Sequence, residues 1–268
     1  MGSFESFRAE RHFIDRVVGP ISHQVWMQYG LIALVLFLRV AIRIRTQGVR
    51  RLAGDDYLTF LAFAIATALP FVTMGVVKNG HNKVAVDESV RSRIAAELPE
   101  QARALSTGSI WLLVGWFAYS GFIWTEKLTI LFLLKRVTRG LAVERAVLPV
   151  MGLVVTSYLI IVVVVTSYCR PFYKYWQFYP DPGDRCYPDT PGLYIAVLIL
   201  NIVTDACIAI IPIPVLRQAR MHWTKKTGIS VVLCGGVFTM AASIVRVYYS
   251  INMESLRAIA PPWSRASW

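Results

Sequence analysis

Five polar side chains lie within stretches of this sequence that are otherwise apolar, and their residue types are suited to binding or proton transfer. They are Glu126, Lys127, Asn201, Asp205 and Arg246. An ionisable group inside a bilayer costs about 2.5–3.5 kcal/mol even on the lenient insertion scale, so such groups mark functional sites by default. Asn201 and Asp205 are four residues apart and therefore share one face of a helix.

The placement of these residues favours three kinds of chemistry. Lys127 and Asp205 have opposite charges at comparable depth, so we expect them to face each other, with Asn201 lining the same interior. In one interpretation they form a buried ion pair that fixes helix register. In a second, they share a ligand pocket with Asn201 and Glu126, and Arg246 extends to the interface or receives an acidic ligand. In a third, burial keeps Glu126 or Asp205 protonated as a catalytic acid.

The elements that must position these residues are membrane helices. The 268 residues are 56% hydrophobic, with a mean hydropathy of +0.51, and only 16% are charged, where about 25% is typical of soluble domains. These values exclude a disordered chain, a disulfide-dense miniprotein and an ordinary cytosolic enzyme. About 20 apolar residues cross the hydrocarbon core, and six runs approach that length, at residues 26–42, 57–77, 110–134, 147–168, 192–216 and 228–250. In lipid only a helix satisfies its own backbone at this length, so the sequence predicts an all-α integral membrane bundle.

Basic residues in the connecting loops orient this bundle. Loops 43–56, 135–146 and 217–227 hold 12 Lys and Arg in 37 residues, whereas the segments on the other side hold 13 in 98. The positive-inside rule therefore makes the first set cytoplasmic. Residues 1–25 become an extracellular or lumenal N-terminal segment, residues 26–250 the bundle, and residues 251–268 an external stub. Since the charge of +12 is concentrated on the cytoplasmic face, we expect it to meet anionic lipid and not nucleic acid.

Two of the four cysteines fall in one external loop. Cys169 and Cys186 both lie between the fourth and fifth predicted spans, on the external side, where a disulfide can persist, so we expect them to be bonded to each other. The loop between them is rich in Tyr, Trp and Pro, which fits either an ordered lid or an interfacial aromatic belt. Cys207 and Cys234 lie inside predicted helices and are expected to be packing residues.

The sequence contains no motif of a known catalytic or cofactor site. It has no Gly-rich phosphate loop, no His-Glu-X-X-His, no Gly-X-Ser-X-Gly and no Cys-X-X-Cys. The four histidines are scattered over both faces, so we expect no metal site. Any function must reside in the bundle or its loops.

An ordered set of motifs between Arg43 and Arg246 resembles the fungal rhodopsin-like-domain integral membrane proteins, a fungus-specific family of seven-helix, receptor-like proteins. The matching positions are Gly54-Asp55-Asp56, Gly75, Gly80-His81, Trp124-X-X-Lys127, Thr129-Ile130-Leu131, Arg136, Cys169-X-Pro171, Trp176, Cys186, Asn201-X-X-X-Asp205, Pro212-X-Pro214, Lys226-X-Gly228 and Ser243-Ile244-Val245-Arg246. Glu126 has no counterpart in this pattern, so its candidacy rests on its depth alone.

The resemblance implies a seven-helix fold that lacks its last helix, because the sequence stops at Trp268, about where that helix should begin. The retinal-binding lysine of true rhodopsins would lie on the missing helix, so no chromophore or other cofactor is expected. Coupling to a G protein is likewise not part of the expectation. The leading hypothesis is receptor-like sensing of a small lipophilic or extracellular ligand. The alternatives are a membrane-embedded enzyme, such as an acid-triggered cyclase of a secondary-metabolite pathway, and a transporter or accessory subunit.

Overall fold

A computed structural model of the protein describes residues 23–42 except 39, residue 45, residues 54–80, 88–140, 143–187 and 190–213, and parts of 234–248. Within these ranges all regular structure is helical and no strand occurs. The α-helices are α1 (His23–Ile42), α2 (Gly54–Asn79), α3 (Glu88–Glu97), α4 (Pro99–Val137), α5 (Glu144–Tyr168), α6 (Pro191–Ile210) and α7 (Cys234–Val245). Two short 3₁₀ helices, Phe172–Trp176 and Asp184–Cys186, lie between α5 and α6.

Five of these helices, α1, α2, α4, α5 and α6, are long and apolar enough to cross a membrane. This confirms the predicted all-α membrane bundle. The sixth predicted run, residues 228–250, contains the shorter apolar helix α7, and many of its other residues lie outside the described part of the chain. A sixth span therefore stays a prediction. Most of the terminal segments 1–25 and 251–268 also lies outside the description.

The outer surface of the bundle carries large apolar side chains. Phe37, Leu148 and Val163 are 67%, 64% and 60% exposed. Lipid tails are as apolar as these side chains. An exposed apolar surface is therefore the expected outer face of a protein in a bilayer.

Helices α2 and α4 approach each other closely because glycine lines their contact. A Cβ atom at Gly108 of α4 would overlap the carbonyl oxygen of Gly80, and one at Gly75 of α2 would lie 2.7 Å from the Trp111 ring. Small residues let membrane helices approach backbone to backbone, which is a main source of their association in lipid. The glycines thus hold the N-terminal third of α4 close against α2.

Helix α4 is much longer than the predicted run 110–134. Its 39 residues extend about 58 Å at 1.5 Å per residue, nearly twice the roughly 30 Å hydrocarbon core. The added turns at its N-terminus are polar, with Glu100 and Arg103 both exposed. Hydropathy marks only the part of a helix that lies in lipid, so this extension was not predicted.

The helix that corresponds to the fifth predicted run, 192–216, is in contrast shorter than the run, because α6 ends at Ile210. Pro212 follows two residues later and has no N–H to donate to the preceding turn. Pro214 lies outside the described residues.

An ordered cap covers the end of the bundle at which α4 begins. Ile94 of α3, Leu105 of α4 and Phe178 of the α5–α6 loop form a small buried cluster. Cys169 and Cys186 are bonded as predicted, with their Cα atoms 4.8 Å apart. Tyr175 between them is fully buried and donates a hydrogen bond to the Val165 carbonyl at 2.7 Å. The loop is therefore ordered against the end of the bundle, and its role as an interfacial aromatic belt stays a prediction.

Candidate functional site

Lys127 and Asp205 meet inside the bundle and join α4 to α6. Lys127 Nζ lies 2.9 Å from Asp205 Oδ1. It also donates to Thr204 Oγ1 at 2.6 Å and to the Asn201 carbonyl at 3.0 Å. Both charged side chains are more than nine-tenths buried. The three donors of the ammonium are therefore matched by three acceptors on one helix.

The ring of Trp124 on α4 contacts the lysine and is itself hydrogen-bonded to α5. Lys127 Nζ lies 4.8 Å from the centroid of the Trp124 ring, one turn earlier on α4. The indole N–H of Trp124 donates to Ser157 Oγ of α5 at 2.7 Å. A cation over an indole face adds about 0.5–2 kcal/mol, the larger value where water is excluded. The ion pair is thus coupled to three helices.

Asn201 extends this centre towards α7. Its Nδ2 donates to Asp205 Oδ2 at 3.3 Å and to Ser243 Oγ at 3.1 Å. Its Oδ1 is buried and accepts no hydrogen bond from the described part of the chain. An unsatisfied buried acceptor costs about 1–3 kcal/mol, so this oxygen is an unused position for a donor group. We call Lys127, Asn201, Thr204 and Asp205 the polar centre.

The structure brings together three of the five residues singled out in the sequence. Lys127 and Asp205 face each other and Asn201 adjoins them, as predicted. Glu126 is half-buried on α4, about 100° further round the helix axis than Lys127. Arg246 lies outside the described residues. The ligand-binding and catalytic roles suggested for these side chains stay predictions.

Sequence reasoning missed Thr204 as a partner of Lys127. Its hydroxyl also donates to the Leu200 carbonyl at 2.7 Å, and this back-bonding within a helix is common for threonine. The sequence therefore carried no signal beyond the position of Thr204 beside Asp205.

A second buried cation lies in the cap. Arg91 of α3 is 2% exposed, and its guanidinium carbon lies 5.5 Å from the Phe178 ring centroid and 5.9 Å from that of Tyr187. It donates to the Tyr187 hydroxyl at 2.9 Å and to the Phe178 carbonyl at 3.3 Å, and Nε lies 3.6 Å from Asp181 Oδ2. We call Arg91, Phe178, Asp181 and Tyr187 the cap clasp.

The cap clasp changes the acidity of its tyrosine. Tyr187 donates to Asp181 Oδ1 at 3.0 Å. Burial, helped by the hydrogen bond to Asp181 and the charge of that carboxylate, raises the pKa of Tyr187 to about 12 against the lowering effect of Arg91. Tyr175, also in the cap, has its pKa raised to about 12, chiefly by burial. Both hydroxyls are therefore neutral donors at physiological pH.

A metal-binding cluster is not seen in the described ranges. No group of three or more His, Cys, Asp or Glu side chains comes together there. The two free cysteines of these ranges, Cys207 and Cys234, lie on different helices, α6 and α7.

Comparison with known proteins assigns the family. The model of the fungal rhodopsin domain matches residues 38–264, which is most of the chain. The chain therefore belongs to the fungal rhodopsin-domain family, and it is a multi-pass membrane protein.

A second comparison aligns part of the chain with a curated protein. Over 110 residues the chain is 31% identical to Fugralins biosynthesis cluster protein 2 of Gibberella zeae. The aligned segment covers 40% of this chain and 27% of that relative. No solved structure gives a significant match to the chain.

Proposed function

We propose that this membrane protein senses a small ligand at the polar centre and responds through the contacts among α4, α6 and α7. The observation that carries the proposal is the buried Asn201 Oδ1, which accepts no hydrogen bond from any described residue and lies beside a fully paired Lys127. Membership of a receptor-like family and the absence of a catalytic motif in the sequence support it.

The contacts of the polar centre define the ligand's chemistry. Lys127 already has an acceptor for each of its donors, so an arriving ligand gains most by donating to Asn201 Oδ1. The rest of such a molecule is apolar, because it reaches the site through or beside hydrocarbon. The expected class is a lipophilic molecule with one hydroxyl or amide N–H.

Binding at this position would bias the arrangement of three helices. The same Asn201 side chain holds Asp205 on α6 and Ser243 on α7 through its Nδ2. A ligand that rotates or displaces the Asn201 amide changes both of these hydrogen bonds at once. A ligand shifts an equilibrium only by its differential affinity for the two states, and hydrogen bonds that exist in one state alone supply such a difference.

The test is thermal unfolding of the full chain in nanodiscs with a panel of lipophilic alcohols and amides, each paired with its O- or N-methylated counterpart. We expect a donor-bearing member to raise the Tm of the wild type, and its methylated counterpart to have little effect. Asn201→Leu should remove the response, while the control Asn79→Leu, at the end of α2, should keep it. Equal responses to both members of a pair, or a full response in Asn201→Leu, would show that the polar centre is not the sensing site.

The similarity to a biosynthesis cluster protein favours a second candidate, a membrane-embedded enzyme of a biosynthetic pathway. Asp205 already pairs with Lys127 Nζ at 2.9 Å, so a role as an acid would require it to leave that contact. Glu126 is then the candidate acid. In that case Glu126→Gln should leave folding and substrate binding intact and stop turnover, since an amide cannot deliver the proton.

We also propose that the cap is extracellular or lumenal and that the N-terminus lies on the same side. The density of basic residues in loops 43–56 and 135–146 supports this orientation, and so does the disulfide in the cap, since disulfides persist in oxidising compartments. In a chain with Cys207 and Cys234 replaced by serine, Glu97→Cys should react with an impermeant thiol reagent in intact cells. Arg139→Cys should react only after permeabilisation, and the opposite pattern would reverse the orientation.

A further inference from the structure

An apolar groove runs along the lipid-facing side of the bundle, between α2, α4 and α5. Its volume is about 830 Å³, within the roughly 300–1,000 Å³ of small-molecule sites. Leu58 of α2, Phe132 of α4 and Leu148 and Val155 of α5 are among its lining residues. Gly152 also lines the groove, and a Cβ atom there would meet no atom within 4 Å.

The groove spans one leaflet. On α5 its lining extends from Leu148 to Thr156, and Arg145 lies one turn before Leu148. From Arg145 to Thr156 the helix rises about 16 Å, close to half of the roughly 30 Å hydrocarbon core. An acyl chain entering from the nearer membrane surface has this length and direction.

Basic residues continue the groove at its surface end. Lys135 and Arg136 are three and four residues beyond Phe132, so they extend the same face of α4. Arg145 extends the face of α5 that carries Leu148. All three are exposed, and none forms an ion pair with another described residue.

Two acidic side chains are also close to this end. Glu144 accepts a hydrogen bond from the Gly140 N–H at 2.8 Å, and Asp56 of α2 is buried. Arg139 is a further exposed cation. Asp55 is a third acidic residue at this end, next to Gly54 of the lining. Four basic residues against three acidic ones leave the end of the groove with a net charge of +1.

We propose that this groove binds one anionic glycerophospholipid, with an acyl chain along Phe132, Leu148 and Gly152 and the phosphate at Lys135, Arg136 and Arg145. Basic pockets between membrane helices recognise anionic head groups, and charge complementarity selects them over zwitterionic lipids. The site is separate from the polar centre, so the inference goes beyond the proposed sensing role and does not depend on it.

The experiment is native mass spectrometry of the full chain, released from detergent micelles containing equal amounts of phosphatidylcholine, phosphatidylethanolamine, phosphatidylserine and phosphatidylinositol. We expect one anionic lipid to be retained about tenfold or more over phosphatidylcholine. Gly152→Leu should fill the groove and abolish this retention. The matched control is Gly30→Leu, at an exposed α1 position where a Cβ likewise meets nothing within 4 Å.

Charge variants separate the head group from the tail. Lys135→Gln combined with Arg145→Gln should reduce the preference for anionic lipid several-fold, while the control Arg103→Gln, at the opposite end of α4, should not. Equal retention of all four lipids in the wild type, or unchanged retention in Gly152→Leu, would overturn the proposal. Retention of an added neutral sterol in place of phospholipid would overturn it as well.

Discussion

The protein buries two cations in different surroundings, Lys127 in the polar centre and Arg91 in the cap clasp. Lys127 is held at 2.9 Å by a carboxylate that is itself buried. Arg91 lies within 6 Å of the centroids of two aromatic rings, and its carboxylate partner is 3.6 Å away and 44% exposed. In hydrocarbon a cation requires an opposite charge at close range, whereas near the aqueous surface ring faces and a carbonyl share the task.

The largest loss of stability is expected when the buried carboxylate that pairs with Lys127 is removed. Asp205→Asn leaves the Lys127 ammonium without a counter-charge, and we expect a loss of about 3–5 kcal/mol of stability and a lower folded yield. Lys127→Met combined with Asp205→Leu should recover most of it, since apolar residues of similar volume replace such pairs without loss. Reversible unfolding in detergent measures both variants. A double variant as unstable as Asp205→Asn would contradict a purely local role of the pair.

Opening the disulfide tests how far the cap depends on covalent closure. Cys169 and Cys186 are 17 residues apart, and closing a loop of that size contributes about 3 kcal/mol in the chain-entropy model. Cys169→Ser combined with Cys186→Ser should lower the Tm and speed proteolysis between the two positions. Cys207→Ser, which breaks no bond, should leave both unchanged. An unaltered cap in the double variant would mean that the clasp alone orders it.

Removing Arg91 should have a smaller effect than either change, because Asp181 keeps its contact with water. Arg91→Met should cost about 2 kcal/mol through the lost hydrogen bonds to a charged donor. Arg91→Lys should recover less than half, because an ammonium cannot reproduce the guanidinium fork. Amide hydrogen exchange of residues 172–187 reports the local effect. Arg103→Met is the exposed control, since Arg103 is 79% exposed in its pair with Glu100, and it should change stability by less than about 0.5 kcal/mol.

The effect that is smallest at neutral pH is a pH dependence confined to the cap, which appears only above about pH 10. The pKa of Tyr187 is raised from 10.0 to about 12, so its contribution is fully present below pH 10 and is lost as the pH rises to 12. Between these values the wild type should therefore lose more stability than Tyr187→Phe. The control Tyr173→Phe, at an exposed position of the same loop, should follow the wild type. Parallel curves for wild type and Tyr187→Phe would contradict the assignment.

The sequence predicted the polar centre better than the cap clasp, for a physical reason. Charged residues in the apolar runs are few, so Lys127 and Asp205 were the two residues of opposite charge predicted at a similar depth in the membrane. Cys169 and Cys186 are likewise the two cysteines of one predicted external loop, so each had the other as its nearest partner for a disulfide.

Arg91 offered no such signal. It stands in a polar segment, and its partners Phe178 and Tyr187 come 87 and 96 residues later. Its burial is a product of tertiary packing. The polar first turns of α4 escaped prediction because nothing in hydropathy separates a solvated helix from a loop.

The length of α4 makes it a rod that joins the cap to the polar centre. Helix α2 packs against this rod at Gly108 and again at Phe132, whose ring lies 3.3 Å from the position of a Cβ on Gly54. From Pro99 to Lys127 the rod measures about 42 Å at 1.5 Å per residue. A rod that is held along its length passes a movement along its axis from one end to the other without loss. A shift of about 1 Å imposed on the cap in that direction therefore reaches Lys127 undiminished and changes its hydrogen bond to Thr204, now 2.6 Å long.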